Sequence, residues 1–385
     1  MVVRLFHPWI GGTEIQAYRL ARKLIEKNID VKILTGWWFR GTSQREVIDQ
    51  VPVFRNLTLW EFFGIKGLRK FGGYLYILSL LWYLWRWRAD YDIIHIHGFS
   101  YHTSAAALAG RWFSRKTLTK LANSGRDSDI DKMRCNYELA LSEYMLPAAL
   151  TCDRFVAVNK RVVEELTHAG VPPAKVIEVG NGIEYERIIP KNSYALHDPA
   201  RVIFVGRLHE QKDIETLLRA FHQLLQAYPT GDLCLQLVGD GPQRTDMSCF
   251  AARLGIAGQV EFLGRSDRVV ELLSQADVFV LPSRAEGLSN ALLEAMACAL
   301  PVVVSKIPGN VDIVEHNQNG MLFIPGDPES LAHALAALLN QSGVRERLGR
   351  AARQTVEKRH SLDLIADQYI ALYQDLLAAK REDSF

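Results

Sequence analysis

At 385 residues the chain is too long for one ordinary hydrophobic core, so two domains of roughly 190 residues are expected. Its 48% hydrophobic and 23% charged residues and its net charge of +2 describe a soluble globular protein and exclude a disordered, fibrous or strongly nucleic-acid-binding chain. The five cysteines, Cys135, Cys152, Cys234, Cys249 and Cys298, contain no C-x-x-C pair, which argues for a reducing compartment and against a zinc site or a disulfide framework.

The opening Met-Val-Val-Arg-Leu-Phe-His-Pro-Trp lacks the apolar h-region of a signal peptide, so the expected location is the cytoplasm, extending to the inner face of the cytoplasmic membrane. Strand and helix then alternate throughout, the pattern of parallel α/β sheets. Apolar runs predict strands at Val2–Phe6, Val31–Thr35, Ile93–His97, Thr117–Leu121, Phe155–Val158 and Val176–Val179 in the first half. In the second half they fall at Val202–Val205, Leu233–Val238, Val260–Leu263, Val278–Leu281 and Val302–Ser305. The polar stretch Pro190–Pro199 between the two series reads as a linker, giving domains over 1–188 and 189–361. Ile365, Tyr369, Leu372, Tyr373 and Leu376 recur at helical spacing, so a last helix, about Leu362 to Leu377, needs a surface to cover. Residues 362–385 are expected to pack back on the first domain. Residues 1–190 carry 26 Lys+Arg against 19 Asp+Glu, the remainder 19 against 24, and all eight tryptophans fall within the first 112 residues. Such asymmetry suits two domains with different partners.

The densest motif is Glu286-Gly287-Leu288-Ser289-Asn290-Ala291-Leu292-Leu293-Glu294. The preceding Val278–Leu281 run reads as a buried strand, and Ser289 is a suitable N-cap for a helix that Pro301 stops near Ala299. Glu286 then lies in the loop at the carboxyl end of a strand and Glu294 in the second turn of the next helix, the crevice where open α/β sheets bind ligands. Backbone N–H groups from Gly287 to Ala291 and the helix dipole favour a phosphate there, with carboxylates to accept hydroxyls at either end. A bare pair of glutamates at this spacing is equally what a solvated helix face carries, so other loops must decide.

Three such loops follow predicted strands. Gly206-Arg207-Leu208-His209-Glu210-Gln211-Lys212-Asp213 puts a guanidinium fork and an ammonium before a helix, with Asp213 as its N-cap. Gly239-Asp240-Gly241-Pro242 is a poor dinucleotide fingerprint and reads better as a tight turn near a ligand. Gly264-Arg265-Ser266 follows another strand. In the first half, Gly11-Gly12 precedes Thr13 and Gln16, a capping-box pattern whose helix N-terminus suits an anion, although a plain strand-to-helix turn uses the same dipeptide. His97 ends a strand, where a core histidine is the plainer reading, and His95 faces the same side.

Together these motifs, with Asn181-Gly182-Ile183 and His95-Ile96-His97-Gly98, resemble the retaining glycosyltransferases of family 4, also called group 1, over essentially the whole chain. The resemblance implies the GT-B fold: α/β, with two Rossmann-like doubly wound parallel-sheet domains facing a central cleft, the first for the acceptor and the second for the nucleotide-sugar donor. It implies that Arg207 and Lys212 bind the donor diphosphate, Glu294 the ribose, and Glu286 with Gly287, Leu288, Ser289 and Asn290 the sugar. Gly206, Gly241, Arg265 and Ser266 would line the donor, Gly11 and Gly12 would approach the phosphates, and His97 would sit by the sugar. Glu184 and Ala299 depart from the family pattern, which has Asp and Gly there.

The implied reaction is hexosyl transfer with retention, from a UDP-sugar or, as second choice, a GDP-sugar, to a glycan or lipid-linked acceptor of cell-surface polysaccharide or glycolipid synthesis. No cofactor and no metal are expected. Asp127-Ser128-Asp129-Ile130-Asp131 resembles a metal-binding D-x-D but reads as a polar loop or helix start, with Lys120 and Arg126 nearby as acceptor contacts. The segment from Trp60 to Trp87 is basic, then apolar for only about twelve residues, too short to span a bilayer. A buried crossover helix and docking on an anionic membrane both remain open for it. A sugar-nucleotide epimerase of related fold and a non-catalytic partner subunit are the competing readings.

Overall fold

The computed structural model describes residues 1–8, 11–58, 69–125, 128–135, 142–227 and 232–382. The chain divides into two compact units, Met1–Gly182 with Leu362–Phe385, and Ile183–Ser361. In the first unit the strands are β1 (Val2–Val3), β2 (Ile33–Gly36), β3 (Arg45–Ile48), β4 (Val51–Asn56), β5 (Ile93–His97), β6 (Lys116–Leu121), β7 (Arg154–Ala157) and β8 (Val176–Glu178). They form one sheet in the order β3-β4-β2-β1-β5-β6-β7-β8, parallel except for β3. The second unit holds β9 (Ala200–Val205), β10 (Leu233–Val238), β11 (Val260–Gly264), β12 (Val278–Leu281), β13 (Val302–Ser305) and β14 (Met321–Phe323). All six run parallel in the order β11-β10-β9-β12-β13-β14. Each unit is thus a doubly wound α/β domain, as the apolar runs required.

The cores follow from those runs. In the first unit Leu20 and Leu24 of the helix Gly12–Glu26 meet Val3, Ile33 and Leu118 of the sheet, and Ile365, Tyr369 and Leu376 of the helix Leu362–Glu382 enter the same cluster. Lys23 and Lys27 pair with Asp363 at 3.2 and 3.4 Å, and Lys27 with Asp367 at 2.8 Å. In the second unit Phe204, Phe221 and Phe279 are fully buried, each contributing about 1.5–3 kcal/mol by its removal from water.

Several sequence readings are corrected. The β3–β4 hairpin was not expected because its two-residue turn, Asp49-Gln50, has positive φ at both positions without the usual Asn-Gly or Asp-Gly signal. β14 has only three residues and also went unread, while β1 is shorter than predicted because the chain leaves the sheet at Arg4. The Pro190–Pro199 stretch is no linker. Lys191 N–H donates to Cys298 O at 2.8 Å, Tyr194 Oη to Ala299 O at 2.9 Å, and Arg345 Nη2 to Tyr194 O at 2.8 Å. His197 Nδ1 lies 2.8 Å from the buried carboxylate of Asp277. The segment is a strap across the second unit, and the division falls at Gly182/Ile183 instead of residue 188, because Ile183 N–H bonds His360 O at 2.9 Å and Ile188 lies in the second core.

The helix Asn290–Ala297 ends in a Schellman turn, with Leu300 N–H on Ala295 O at 3.1 Å and Ala299 N–H on Met296 O at 3.0 Å. Ala299 therefore sits at φ 58°, the left-handed position that favours glycine. Replacing Ala299→Gly is expected to raise the unfolding free energy of the second unit by about 1 kcal/mol, read by calorimetry. A lowered midpoint would show that the turn carries no strain there.

Candidate functional site

A ligand crevice forms in an open parallel sheet where the strand order reverses, because loops leaving neighbouring strands diverge to opposite faces. In the second sheet that place lies between β9 and β12, and the loops involved are residues 206–213 and 282–289. They carry Arg207, Lys212 and Glu286. Lys212 Nζ donates to Glu286 Oε1, and Ser283 Oγ donates to the same oxygen at 2.6 Å. Gln211 Nε2 donates to Ala285 O at 2.9 Å, Arg284 N–H to Gln211 O at 2.8 Å, and Arg284 Nη2 to Asp213 Oδ1 at 3.0 Å. Glu286 is buried and Lys212 half-buried, whereas Arg207 is exposed and makes no hydrogen bond or ion pair among the described residues. One cation is anchored and the other keeps its donors unspent.

Ser289 caps the next helix, its hydroxyl accepting from Leu292 N–H at 3.3 Å, and Asn290 opens that helix. Glu294 follows in the second turn and is buried. Gly287 is buried and Leu288 half-buried; a Cβ on Gly309 would lie 2.3 Å from Gly287 O and 2.5 Å from Glu286 O, so this loop is pressed against Gly309. Asp213 is the residue before the helix Ile214–Ala227 and accepts from Thr216 Oγ1 at 2.9 Å.

The remaining loops at this edge are zipped by backbone. Gly206 N–H donates to Val238 O at 2.9 Å, Leu208 N–H to Asp240 O at 3.0 Å and Gly239 N–H to Gly264 O at 2.7 Å. A Cβ on Gly239, at φ +133°, would stand 1.9 Å from Gly206 O, and one on Gly241 would stand 2.2 Å from Leu208 O. These glycines let loop meet loop. Arg265 is exposed, and Ser266 Oγ accepts from Arg268 N–H at 3.0 Å. Ser283, Gln211 and Gly309 were missed in the sequence, although the first two stand within three residues of the glutamate and the lysine they serve.

In the first sheet the order reverses between β1 and β5. Gly11 precedes the helix Gly12–Glu26 in extended conformation, but Gln16 is no part of a capping box. It is buried and bonds both the N–H and the C=O of Gly182 at 3.0 Å. His97 ends β5, with neither ring nitrogen hydrogen-bonded among the described residues. His95 stacks on it with ring centroids 4.2 Å apart and holds Tyr373 Oη at 2.7 Å through Nδ1. Burial pushes both imidazoles well below the usual histidine pKa, and that of His102 down to about 3. Lys120 is buried on β6, its ammonium 2.9 Å from Asn181 Oδ1, and burial lowers its pKa to about 7. Asp129 opens a helix and its carboxylate accepts from Ala122 and Asn123 N–H at 2.8 and 3.1 Å. Arg126 and Asp127 lie outside the described residues. Among those described, no three His, Cys, Asp or Glu side chains come together as metal ligands.

Two family models divide the chain between them, Glycosyltransferase Family 4 over residues 10–187 and Glycosyl transferases group 1 over residues 186–355. The chain belongs to the group 1 glycosyltransferases. Its activity is glycosyl transfer from a nucleotide-sugar donor, and the two doubly wound domains are those of the GT-B fold. It is 28% identical to an uncharacterized glycosyltransferase of Methanocaldococcus jannaschii over 95% of this chain and 94% of that one. It is 25% identical to the N-acetyl-alpha-D-glucosaminyl L-malate synthase of Bacillus anthracis, over 96% of each chain. HepE of Anabaena, solved in complex with UDP, superposes with a TM-score of 0.75 at 19% identity over 97% of this chain and 99% of its own.

The neutral histidines make the first unit acid-sensitive. A histidine with its folded pKa below the unfolded value adds stability that is complete above pH ~6.5 and is lost as pH falls toward the folded value, here about 3 for His102. All eight tryptophans belong to the first unit, so tryptophan emission reads that unit alone. Urea midpoints followed this way are expected to fall from about pH 6.5 to pH 5 by up to ~1.4 kcal/mol per pH unit for each neutral imidazole. His102→Gln should flatten that slope; an unchanged slope would mean that His102 charges in the folded protein.

Proposed function

We propose that this glycosyltransferase moves a hexose-type sugar from a UDP-sugar, with a GDP-sugar as second choice, to a glycan or lipid-linked acceptor, retaining anomeric configuration and using no metal. The observation that carries the reading is the pairing of Lys212 with Glu286 at the β9/β12 reversal, with Arg207 in the same loop as Lys212 and Glu294 in the second turn of the helix that follows Glu286. The preference for UDP is supported by HepE, which is bound to UDP.

The difficult event is departure of the nucleoside diphosphate from an oxocarbenium-like sugar. Negative charge grows on the leaving phosphate oxygen, where the Arg207 fork, the Lys212 ammonium and the helix N-terminus at Ser289 stabilise it. Glu286 orients Lys212 and accepts sugar hydroxyls, while Glu294 accepts those of the ribose. As the bond from C1 to the phosphate oxygen breaks, the acceptor oxygen bonds C1 on the same face and its proton passes to the released phosphate. His97 positions the sugar as a neutral imidazole. With a UDP-sugar and the natural acceptor, Lys212→Ala is expected to lower kcat about 10²–10³-fold without a comparable rise in KM, and EDTA should leave the rate unchanged. Full activity in Lys212→Ala, or an inverted product by proton NMR, would sink the corresponding part of the reading.

The acceptor side is read as membrane-associated, for synthesis of cell-surface polysaccharide or glycolipid. The helix Arg69–Arg86 has two faces: Tyr76, Leu80, Tyr83 and Leu84 are buried, whereas Phe71, Leu78, Trp82 and Trp85 are 63%, 64%, 52% and 48% exposed. Their spacing makes one apolar stripe, with exposed Arg86 and Arg88 at its end in the chain, and Arg111 and Trp112 of the helix Tyr101–Phe113 are also exposed. No helix among the described residues is long and apolar enough to cross a membrane; residues 60–68 lie outside the described residues. The protein is expected to float with vesicles containing phosphatidylglycerol at low salt, and Trp82→Glu to release most of it. Equal flotation of both proteins would remove the stripe from the interface.

A further inference from the structure

The carboxyl edge of the first sheet holds a second set of polar groups that the donor site does not use. Arg4 leaves β1 at the β1/β5 reversal, and its backbone is fixed there: its carbonyl accepts from Trp38 Nε1 at 2.6 Å and from Gly36 N–H and Thr35 Oγ1 at 3.3 Å. Its guanidinium carbon lies 5.9 Å from the centre of the Tyr101 ring, half-buried, and makes no hydrogen bond or ion pair among the described residues. A half-buried guanidinium that spends none of its donors on the described residues keeps its planar fork available to an oxyanion.

Two further groups nearby are unspent. Tyr76 packs edge-on against Tyr101 with centroids 5.8 Å apart, and its hydroxyl is buried without a hydrogen-bond partner among the described residues. His102 follows Tyr101 and opens the same helix, and its Nε2 lies 3.2 Å from His97 O. A carbonyl only accepts, so Nε2 carries the proton and the buried Nδ1, without a hydrogen-bond partner among the described residues, presents a lone pair. Both Tyr76 and His102, and the half-buried carboxyl of Glu14 in the first turn of the helix Gly12–Glu26, feel the charge of Arg4. Buried polar groups left unpaired in this way are normally completed by solvent or ligand.

We propose that this edge binds the acceptor through an oxyanion, a phosphate or carboxylate, held by Arg4 and the Tyr76 hydroxyl, with a neighbouring hydroxyl accepted by His102 Nδ1 or Glu14. The inference rests on the glycosyl-transfer reading above and adds to it the chemical class of the acceptor. Arginine suits the task because its planar fork matches a carboxylate or phosphate and stays charged at every relevant pH. Neutral His102 and Tyr76 add hydrogen bonds without adding charge, so the attraction for an oxyanion comes from Arg4.

Three-carbon probes separate the elements of the claim. Glycerol 3-phosphate, glycerate and glycerol share a skeleton and carry a phosphate, a carboxylate or neither. By calorimetric titration the full-length protein is expected to bind at least one anionic probe about tenfold or more tightly than glycerol. Arg4→Gln should bring that affinity down to the glycerol level and Arg4→Lys should keep part of it, with UDP affinity unchanged in both. A phosphorylated polyol and the phosphate of a lipid-linked acceptor share this chemistry, so vesicles carrying undecaprenyl phosphate form a second arm; Arg4 dependence confined to vesicles assigns the oxyanion to a lipid. Equal binding of anionic and neutral probes by the natural protein in both arms, or unweakened binding in Arg4→Gln, overturns the proposal. Should Arg4→Gln not fold, Arg4→Lys and the probe series on the unaltered chain still decide. Absence of UDP binding in the unaltered protein would count against the donor reading alone, since Arg4 belongs to the other unit.

Discussion

The loop after β9 and the loop after β12 are bonded to each other, and the site depends on that. Strands adjacent at a point of reversal send their loops to opposite faces, so nothing in the sheet alone keeps Lys212 beside Glu286, 74 residues later. The ion pair does so together with the Gln211, Arg284 and Asp213 bonds, all of them part-buried. A buried carboxylate without its ammonium would be strongly destabilising, so the pair fixes geometry as much as charge. Because Glu286 compensates Lys212, net positive potential at this edge comes chiefly from Arg207. The two cations therefore differ in kind: one is a placed donor, the other an exposed fork with no hydrogen bond or ion pair among the described residues.

The two sheets use their points of reversal with different chemistry. The second gathers formal charges and backbone-tight glycines around a place suited to phosphates. The first gathers imidazoles kept neutral by burial, phenols and glycine, with Arg4 as its half-buried cation. Neutral, hydrogen-bond-hungry groups recognise hydroxyls, whereas fixed charges recognise diphosphates. The tryptophans and the excess of basic residues in the first half belong to the same contrast.

How far the sequence led is best judged on particular residues. Runs such as Val278–Leu281 and Val302–Ser305 are apolar on both faces because helices cover both, and such strands are plain to read. The hairpin at Asp49-Gln50 was not, since its backbone is held in a glycine-like conformation by side chains that announce no turn. Polar composition made the Pro190–Pro199 strap look like a linker; what holds it, Asp277 and Arg345, stands about 80 and 150 residues away. Strand, loop and cap put Glu286 in the loop after β12 and Glu294 in the second turn of the next helix, which is where the structure has them. The long-range pairing of Lys212 with Glu286, of Gln16 with Gly182 and of Lys120 with Asn181 had no local signal to carry it.

The helix Leu362–Glu382 has a consequence for the order in which the protein is made. Its Tyr369 and Leu376 fill the core of a unit whose other residues all precede Ile183, so that unit is closed by residues translated only after the whole of the second unit. While the second unit emerges from the ribosome, continuous in sequence and complete by Ser361, the first waits with an open groove along Leu20 and Leu24. Folding during synthesis thus runs against chain order: the second unit can finish while the first, begun before it, is still incomplete, and a chain cut short before Leu362 leaves the first unit unsealed.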